Sequence, residues 1–188
     1  DFNLVEQFIQ KNSSIKEKER LIKHVADYYL SLNKIENSCS AIDSLGMITD
    51  EYLTYYKIYC LITQDKKNEA QLLFDLNSEV DALNNFFVQK FEVLMGYEDG
   101  NYILSDESVL FFHLSHKTDE KLIYYPSVES KEFIWKYLSN SNLIKNLNDF
   151  NLSDIDQVKF LEKATSEDIF EERDLSLIHI SEPTRPLH

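Results

Sequence analysis

Glycine and proline are scarce in this sequence. Among 188 residues there are three of each, and two of the prolines fall within the last six positions. A many-turned β protein needs such residues to reverse its chain, so their scarcity argues against sandwiches, barrels and propellers. Cysteine is scarcer still. Cys39 and Cys60 are too few for a disulfide-scaffolded class and stand in no metal-ligand pattern. Basic residues are outnumbered 19 to 33 by acidic ones, for a formal net charge of −14. That balance disfavours nucleic acid and anionic membrane as partners, and fits solubility or a basic partner equally well. No apolar run approaches the roughly 18–20 residues of a membrane-crossing helix. The chain begins at Asp1 with neither an initiator Met nor a basic-then-apolar leader, as expected if a leader has been removed or the start is cut short.

What is present is apolar and helical in period. A hydrophobic content of 43% argues for folding. The chain is long enough for one domain or a short array of helix pairs. Its organising stretch runs from Asp50 to Met95 and holds three apolar stripes. Tyr52, Tyr55, Tyr56, Tyr59 and Ile62 make the first, Ala70, Leu73, Phe74 and Asn77 the second, and Phe87, Phe91, Leu94 and Met95 the third. The polar turn 63–68 between the first two has the length that joins antiparallel helices. Thr49 or Asp50 can cap the Tyr-rich helix, and Lys67 to Ala70 opens its partner. Upstream, Leu21, Ile22, Val25, Tyr28, Tyr29 and Leu32 form one face, and Ser13 or Ser14 can cap it, with Glu17 at capping-box distance from Ser14. Ile35, Cys39, Ile42 and Leu45 make the next stripe, stopped by Gly46. A shorter amphipathic piece, Asn3 to Gln10, precedes both.

Beyond Met95 the pattern loosens. Residues 96–101 read as a loop, and Ser105 or Asp106 can cap a helix through Leu114. Leu122 to Tyr125, closed by Pro126, reads as an extended connector, because a lone strand has no mate. Ser127 or Ser130 begins a helix with Phe133, Ile134, Tyr137 and Leu138, ended by the polar run 139–142. Ser153 to Asp156 looks like a cap and first turn ahead of Val158, Phe160, Leu161 and Ala164. Ser166 to Asp168 can start one more short helix.

The last stretch, Leu175 to Arg185, resembles the translated read-through of a transposase adapter used in sequencing libraries, and is set aside from fold reasoning. The resemblance implies that His179, Pro183, Pro186 and His188 carry no natural function, and that the natural sequence is missing beyond about Asp174. The expected organisation is therefore a helical-repeat-like domain over 1–138, a weakly helical extension over 139–174, and a non-native tail over 175–188.

Residues arranged for chemistry are hard to find. His113 and His116 stand three apart on an expected helix and could hold a divalent metal with Asp119 or Glu120, yet HLSHKTD matches no strong metal signature. There is no nucleophile elbow, no His-Glu-x-x-His and no Gly-rich phosphate loop. The expectation is no enzyme activity and no cofactor; a metal-dependent enzyme at His113 and His116 is the remote alternative. The clustered tyrosines admit two readings. One is an interhelical groove, apolar at the ring bodies and wet at the hydroxyls. The other is a peptide-binding surface made of Tyr52, Tyr55, Tyr59 and Phe87.

Two resemblances bear on the fold. The stretch YKIYCLITQDKKNEAQLLF resembles a tetratricopeptide helix pair, with small Ala70 at the helix crossing, Phe74 one turn on and Leu61 at the apolar position of the first helix. It departs at Ile58, bulky where the repeat is small, and at Asp65, which stands at the turn glycine. Glu36 to Gly96, with SCSAIDSL, YYKIYCLITQDKKNEAQLLFDL and FFVQKFEVLMG, resembles a family of alphaproteobacterial envelope-associated helical proteins, some labelled antifreeze glycopeptide polyprotein. That resemblance implies a helical array, exported to the periplasm or envelope, and assigns no site residues. The alternative location is the cytoplasm.

The expected fold is all-α, antiparallel hairpins stacked as a short tetratricopeptide-like array. The expected function is a non-catalytic protein-interaction scaffold, with a structural or oligomeric envelope spacer as the alternative. Its partner is a protein or a second copy. An Ile35–Leu45 and Asp50–Ile62 hairpin about Thr49 brings Cys39 and Cys60 to nearly the same height. Two outcomes stay open there: buried free thiols, or a disulfide, which requires Cα atoms within about 4.4–6.8 Å.

Overall fold

The computed structural model describes residues 15–79, 83–100, 103–119, 121–122, 124, 126, 130–141, 143, 151 and 153–166. The segment 3–10, the caps at Ser13 and Ser14, residues 123 and 125 of the connector, Ser127, Glu167 and Asp168, and the tail 175–188 lie outside them. The described residues are all-α. Eight helices follow in order: α1 (Ile15–Ser31), α2 (Ile35–Asp43), α3 (Glu51–Thr63), α4 (Lys67–Ser78), α5 (Asn85–Met95), α6 (Val109–Thr118), α7 (Glu132–Asn140) and α8 (Ile155–Ser166).

Short polar side chains start several helices by accepting the orphan amides of a first turn. The Asp50 carboxylate accepts from the Leu53 N–H at 3.0 Å, the Asn84 amide oxygen from Phe86 N–H at 2.8 Å, and the Ser108 hydroxyl from Phe111 N–H at 3.2 Å. Ser108, not Ser105 or Asp106, therefore opens α6. Lys131 stands at the start of α7 without a side-chain cap bond, in place of the expected serine. α2 stops at Asp43, three residues short of Gly46, because the Ser44 hydroxyl donates to the Ala41 carbonyl at 2.6 Å and closes the last turn.

Three helix ends close in one way. After α1, α3 and α5 the chain passes through a left-handed residue: Asn33 (φ 55°), Asp65 (φ 61°) and Gly96 (φ 82°). The next amide bonds back across the final turn: Lys34 N–H to Tyr29 at 2.9 Å, Lys66 N–H to Leu61 at 2.8 Å, and Tyr97 N–H to Glu92 at 2.8 Å. This is the Schellman closure. Asp65 thus adopts the conformation for which a turn glycine is usually chosen.

The first two corners are alike in further detail and stand 32 positions apart, Asn33 matching Asp65 and Lys34 matching Lys66. Lys34 (φ −95°, ψ 71°) and Lys66 (φ −96°, ψ 50°) each precede the second helix of a pair. The Lys34 carbonyl accepts from Ser38 N–H and the Lys66 carbonyl from Ala70 N–H, both at 3.0 Å. Ser38 and Ala70 are small and fully buried. The Ser38 hydroxyl donates to the Ala26 carbonyl at 2.9 Å, so small residues meet where α2 touches α1.

The chain divides into two compact units, Asp1–Leu30 with Lys34–Leu122, and Ser31–Asn33 with Ile123–His188. At the centre of the first is α3, which packs on α2, α4 and α5, while α5 packs on α6. Its sequence is apolar on nearly every side, and Leu53, Tyr55, Tyr56, Ile58, Tyr59, Cys60 and Leu61 are buried, as expected of a helix surrounded by others. α2 pairs with α3. Cys39 bonds Cys60, while Asp43, one turn on, holds both Lys57 (2.7 Å) and Gln64 (3.0 Å), two turns apart. From Cys39 to Asp43 α2 advances while its partners step back from Cys60 to Lys57 along α3, the antiparallel sense of the hairpin expected from spacing. The buried stripe of α1 is Glu19, Ile22, Ala26 and Leu30, rotated from the expected face so that Tyr28 is 46% exposed.

Aromatic rings fill the rest. Tyr55 stacks on Phe87 with centroids 4.4 Å apart, and Phe74 stacks on Phe91 at 3.9 Å. In the second unit Ile134, Trp135, Tyr137 and Leu138 of α7 are buried, and Trp135 meets Phe160 of α8 at 4.9 Å. The Asp154 carboxylate accepts from Asp156 N–H at 3.0 Å and opens α8.

Candidate functional site

Four tyrosines on α3 put hydroxyls into a largely apolar interior, and each must find a partner there. The Asp27 carboxylate of α1 accepts from Tyr52 at 2.8 Å and from Tyr56 at 2.9 Å, both on one oxygen. Burial raises the Asp27 pKa above the ordinary carboxylate value, and the two phenol donors, Lys23 and His24 oppose that rise. The Lys23 ammonium lies 4.4 Å from the centre of the Tyr52 ring. Tyr52 also accepts from the Leu110 N–H at 3.3 Å, which fastens the start of α6 to α3.

One turn along, the Tyr55 hydroxyl donates to Glu51 and accepts the Asn84 N–H at 2.7 Å. Burial, and then the Glu51 bond, hold its proton far above the ordinary phenol value. Tyr59 reaches His113 Nε2 at 2.5 Å in the interior. Burial, then Lys117 and His116, lower the His113 pKa well below 6.5, so the imidazole is neutral.

Two charged groups lie deeper than the sequence led one to expect. Glu19 accepts from the Thr49 N–H, the Thr49 hydroxyl (2.8 Å) and the Asp50 N–H (3.2 Å). Burial pushes its pKa up, but these bonds outweigh it and the net shift is downward. Lys90 is fully buried, with Nζ 2.9 Å from the Thr118 hydroxyl and 5.3 Å from the Phe86 ring centre. Burial lowers its pKa to about 8 against the opposing pull of Asp119.

This arrangement joins helices; it does not expose chemistry. Tyr55, Tyr59 and Phe87 are 3%, 3% and 1% exposed, and Tyr52 is half-buried with its hydroxyl bonded. Of the residues expected to bind peptide, Tyr55, Tyr59 and Phe87 lie instead in the core of the first unit, while Tyr52 is half-buried at its edge. The hydroxyls bond to Asp27, Glu51 and His113. The metal alternative meets a similar obstacle. His113 Nε2 is engaged by Tyr59, and among the described residues no three His, Cys, Asp or Glu side chains gather to hold a metal. A surface cleft of about 330 Å³ is lined, among the described residues, by Glu17, Arg20, Leu21 and His24 of α1.

Cys39 and Cys60 are joined as a disulfide with Cα atoms 5.4 Å apart, between α2 and α3. Both are buried. Among the described residues no helix is long and apolar enough to cross a membrane.

Asp27, Glu19 and Lys90 were missed in the sequence. For Glu19 a signal existed: it shares the i, i+3, i+7 register of Ile22 and Ala26 and so lies on the buried face. Comparison with known proteins gives no match, whether to a family model, to a curated protein or to a solved structure.

Proposed function

We propose that this chain is a non-catalytic protein-interaction scaffold of helical-repeat type that works in an oxidising compartment, the periplasm or cell envelope. The observation that carries the repeat reading is the helix–corner–helix unit recurring at a step of 32 residues, with its left-handed residue, its lysine and its small crossing residue in register. Such units cannot bury their apolar faces alone, and stacking them creates extended outer surfaces of the kind that repeat proteins use for binding. The tetratricopeptide likeness around Ala70 agrees with this reading.

The location rests on the disulfide, because reducing cytoplasm keeps protein thiols apart in most organisms. It agrees with the resemblance to envelope-associated helical proteins, which we retain as part of the proposal. The polar interior favours a binding role over a catalytic one, since the tyrosine hydroxyls and the buried histidine are engaged in holding helices together.

Site-specific photo-crosslinking in the cell of origin tests the scaffold. Probes placed singly on exposed helix positions should give discrete adducts heavier than the monomer on one face. Adducts at no position would refute an interaction role. Adducts of twice the monomer mass alone would favour the oligomeric spacer. Thiol-blocked mass spectrometry of the protein taken from that cell tests the compartment: free Cys39 and Cys60 would refute it.

A further inference from the structure

The outward face of α4 exposes two large apolar side chains of one helix side by side. Leu72 is 61% exposed and Leu76 56%, and at a spacing of four they lie one above the other on the same face. The opposite face carries Ala70, fully buried, and Phe74, stacked on Phe91 of α5. The leucines are therefore not core residues slightly uncovered. They point away from the bundle.

The rim of this stripe has one sign of charge. Glu69 stands three residues before Leu72, Asp75 three after it, and Glu79 three after Leu76, and all three are exposed. No lysine, arginine or histidine occurs from Asn68 to Gln89. Lys67, at the start of α4, turns its ammonium to the Met95 carbonyl at 3.4 Å, at the end of α5. Tyr97, 61% exposed, donates from its hydroxyl to Gln71 at 2.9 Å and stands beside the stripe.

We infer that the Leu72–Leu76 face of α4 docks a cationic amphipathic helix, one with an apolar stripe edged by lysine or arginine. This deepens the scaffold reading and rests on it, naming the surface and the partner's chemistry. Charge decides the occupant. A second copy meeting this face by two-fold symmetry would oppose carboxylates to carboxylates around two small apolar patches, whereas a basic helix matches both the leucines and the rim. Two leucines and a neighbouring tyrosine give a small contact, so the complex is weak and transient and depends on salt.

The probe is a synthetic 18-residue helical peptide with leucine at i, i+3, i+4 and i+7 spacing and lysine elsewhere, titrated into the full chain and followed by methyl NMR. The expected result is saturable one-to-one binding with shifts centred on Leu72 and Leu76. The Leu72→Ser/Leu76→Ser variant should weaken it at least tenfold, as should Glu69→Lys/Asp75→Lys/Glu79→Lys, and a leucine–glutamate peptide should not bind. Both variants alter exposed residues only, and circular dichroism checks that they stay folded. Equal affinity for wild type and the leucine variant overturns the proposal, as does a shift map centred on another face. In those cases the scaffold reading stands, since its crosslinks can lie elsewhere. A concentration-dependent dimer in light scattering that the leucine variant abolishes also overturns it, by assigning the face to a second copy.

Discussion

Removing the Cys39–Cys60 bond is the perturbation whose size can be worked out most directly. The two cysteines are 21 positions apart, and closing a loop of that length withdraws about 3 kcal/mol of chain entropy from the unfolded state. Their burial means that reductant reaches them slowly in the native protein, so reduction belongs in denaturant, followed by refolding in reductant. Urea melts of oxidised and reduced protein should then differ by about 3 kcal/mol, or roughly 1–2 M in midpoint for a protein of this size. A Cys39→Ala/Cys60→Ala variant separates the cross-link from the packing. It should match the reduced protein to within about 1 kcal/mol, because two small buried side chains change little else. The Asp43 bonds to Lys57 and Gln64 keep α2 near α3 in either form, so the reduced protein should still fold. Coincident melts of oxidised and reduced protein would refute the reasoning. They would mean either that no bond is present or that the unfolded chain already holds α2 against α3.

Four further outcomes follow from the polar interior and the helix corners. Glu19→Ala strips the acceptor from the Thr49 and Asp50 amides at the entrance to α3 and should cost about 2–3 kcal/mol in urea melts. Because the folded Glu19 pKa lies below 4.5, its contribution is present above that pH and fades as pH falls through the folded value, a slope the alanine variant should lack. His113 is held neutral below its ordinary 6.5, so acidification from about pH 6.5 down to its folded pKa should erode stability by up to about 1.4 kcal/mol per pH unit. Tyr59→Phe removes the buried bond to His113 Nε2 and should cost about 1–3 kcal/mol, read by thermal melting at pH 8. Asp65→Gly relieves a left-handed aspartate and removes a negative charge from the end of α3, and should raise stability by about 0.5–1 kcal/mol in the same melts.

Much of the fold was legible because helical period is a local property. The stripes through Tyr56 and Tyr59, through Ala70 and Phe74, and through Phe87 and Phe91 each predict a helix that the structure contains. Asp50 as the cap of α3 and Ala70 as a buried crossing residue were legible for the same reason: each acts within a turn or two of itself. What escaped was everything decided between helices. The buried face of α1 is set by Glu19 reaching Thr49, 30 positions on, and sequence periodicity reads a glutamate as solvated. Glu51, four positions from Tyr55, was the one local acceptor for the tyrosine hydroxyls; Asp27 and His113 arrive from 25 and 54 positions away. The state of the cysteines stayed open as well, since spacing gives the height of Cys39 and Cys60 but not whether both side chains point at each other.

The tyrosines of α3 bear on how the first unit comes apart. In an ideal solenoid each repeat touches only its neighbours, so the ends fray first and stability is a sum along one dimension. Here Tyr52 ties Asp27 to the backbone of Leu110, and Tyr59 ties the same helix to His113. Elements 83 positions apart in sequence therefore share one helix as their common support. Loss of α3 from its place would release α1 and α6 together, and neither can be peeled away without breaking a side-chain bond to the middle. Amide exchange across α1, α3 and α6 should accordingly vanish at one free energy, that of global unfolding, instead of in a graded series from the termini inward.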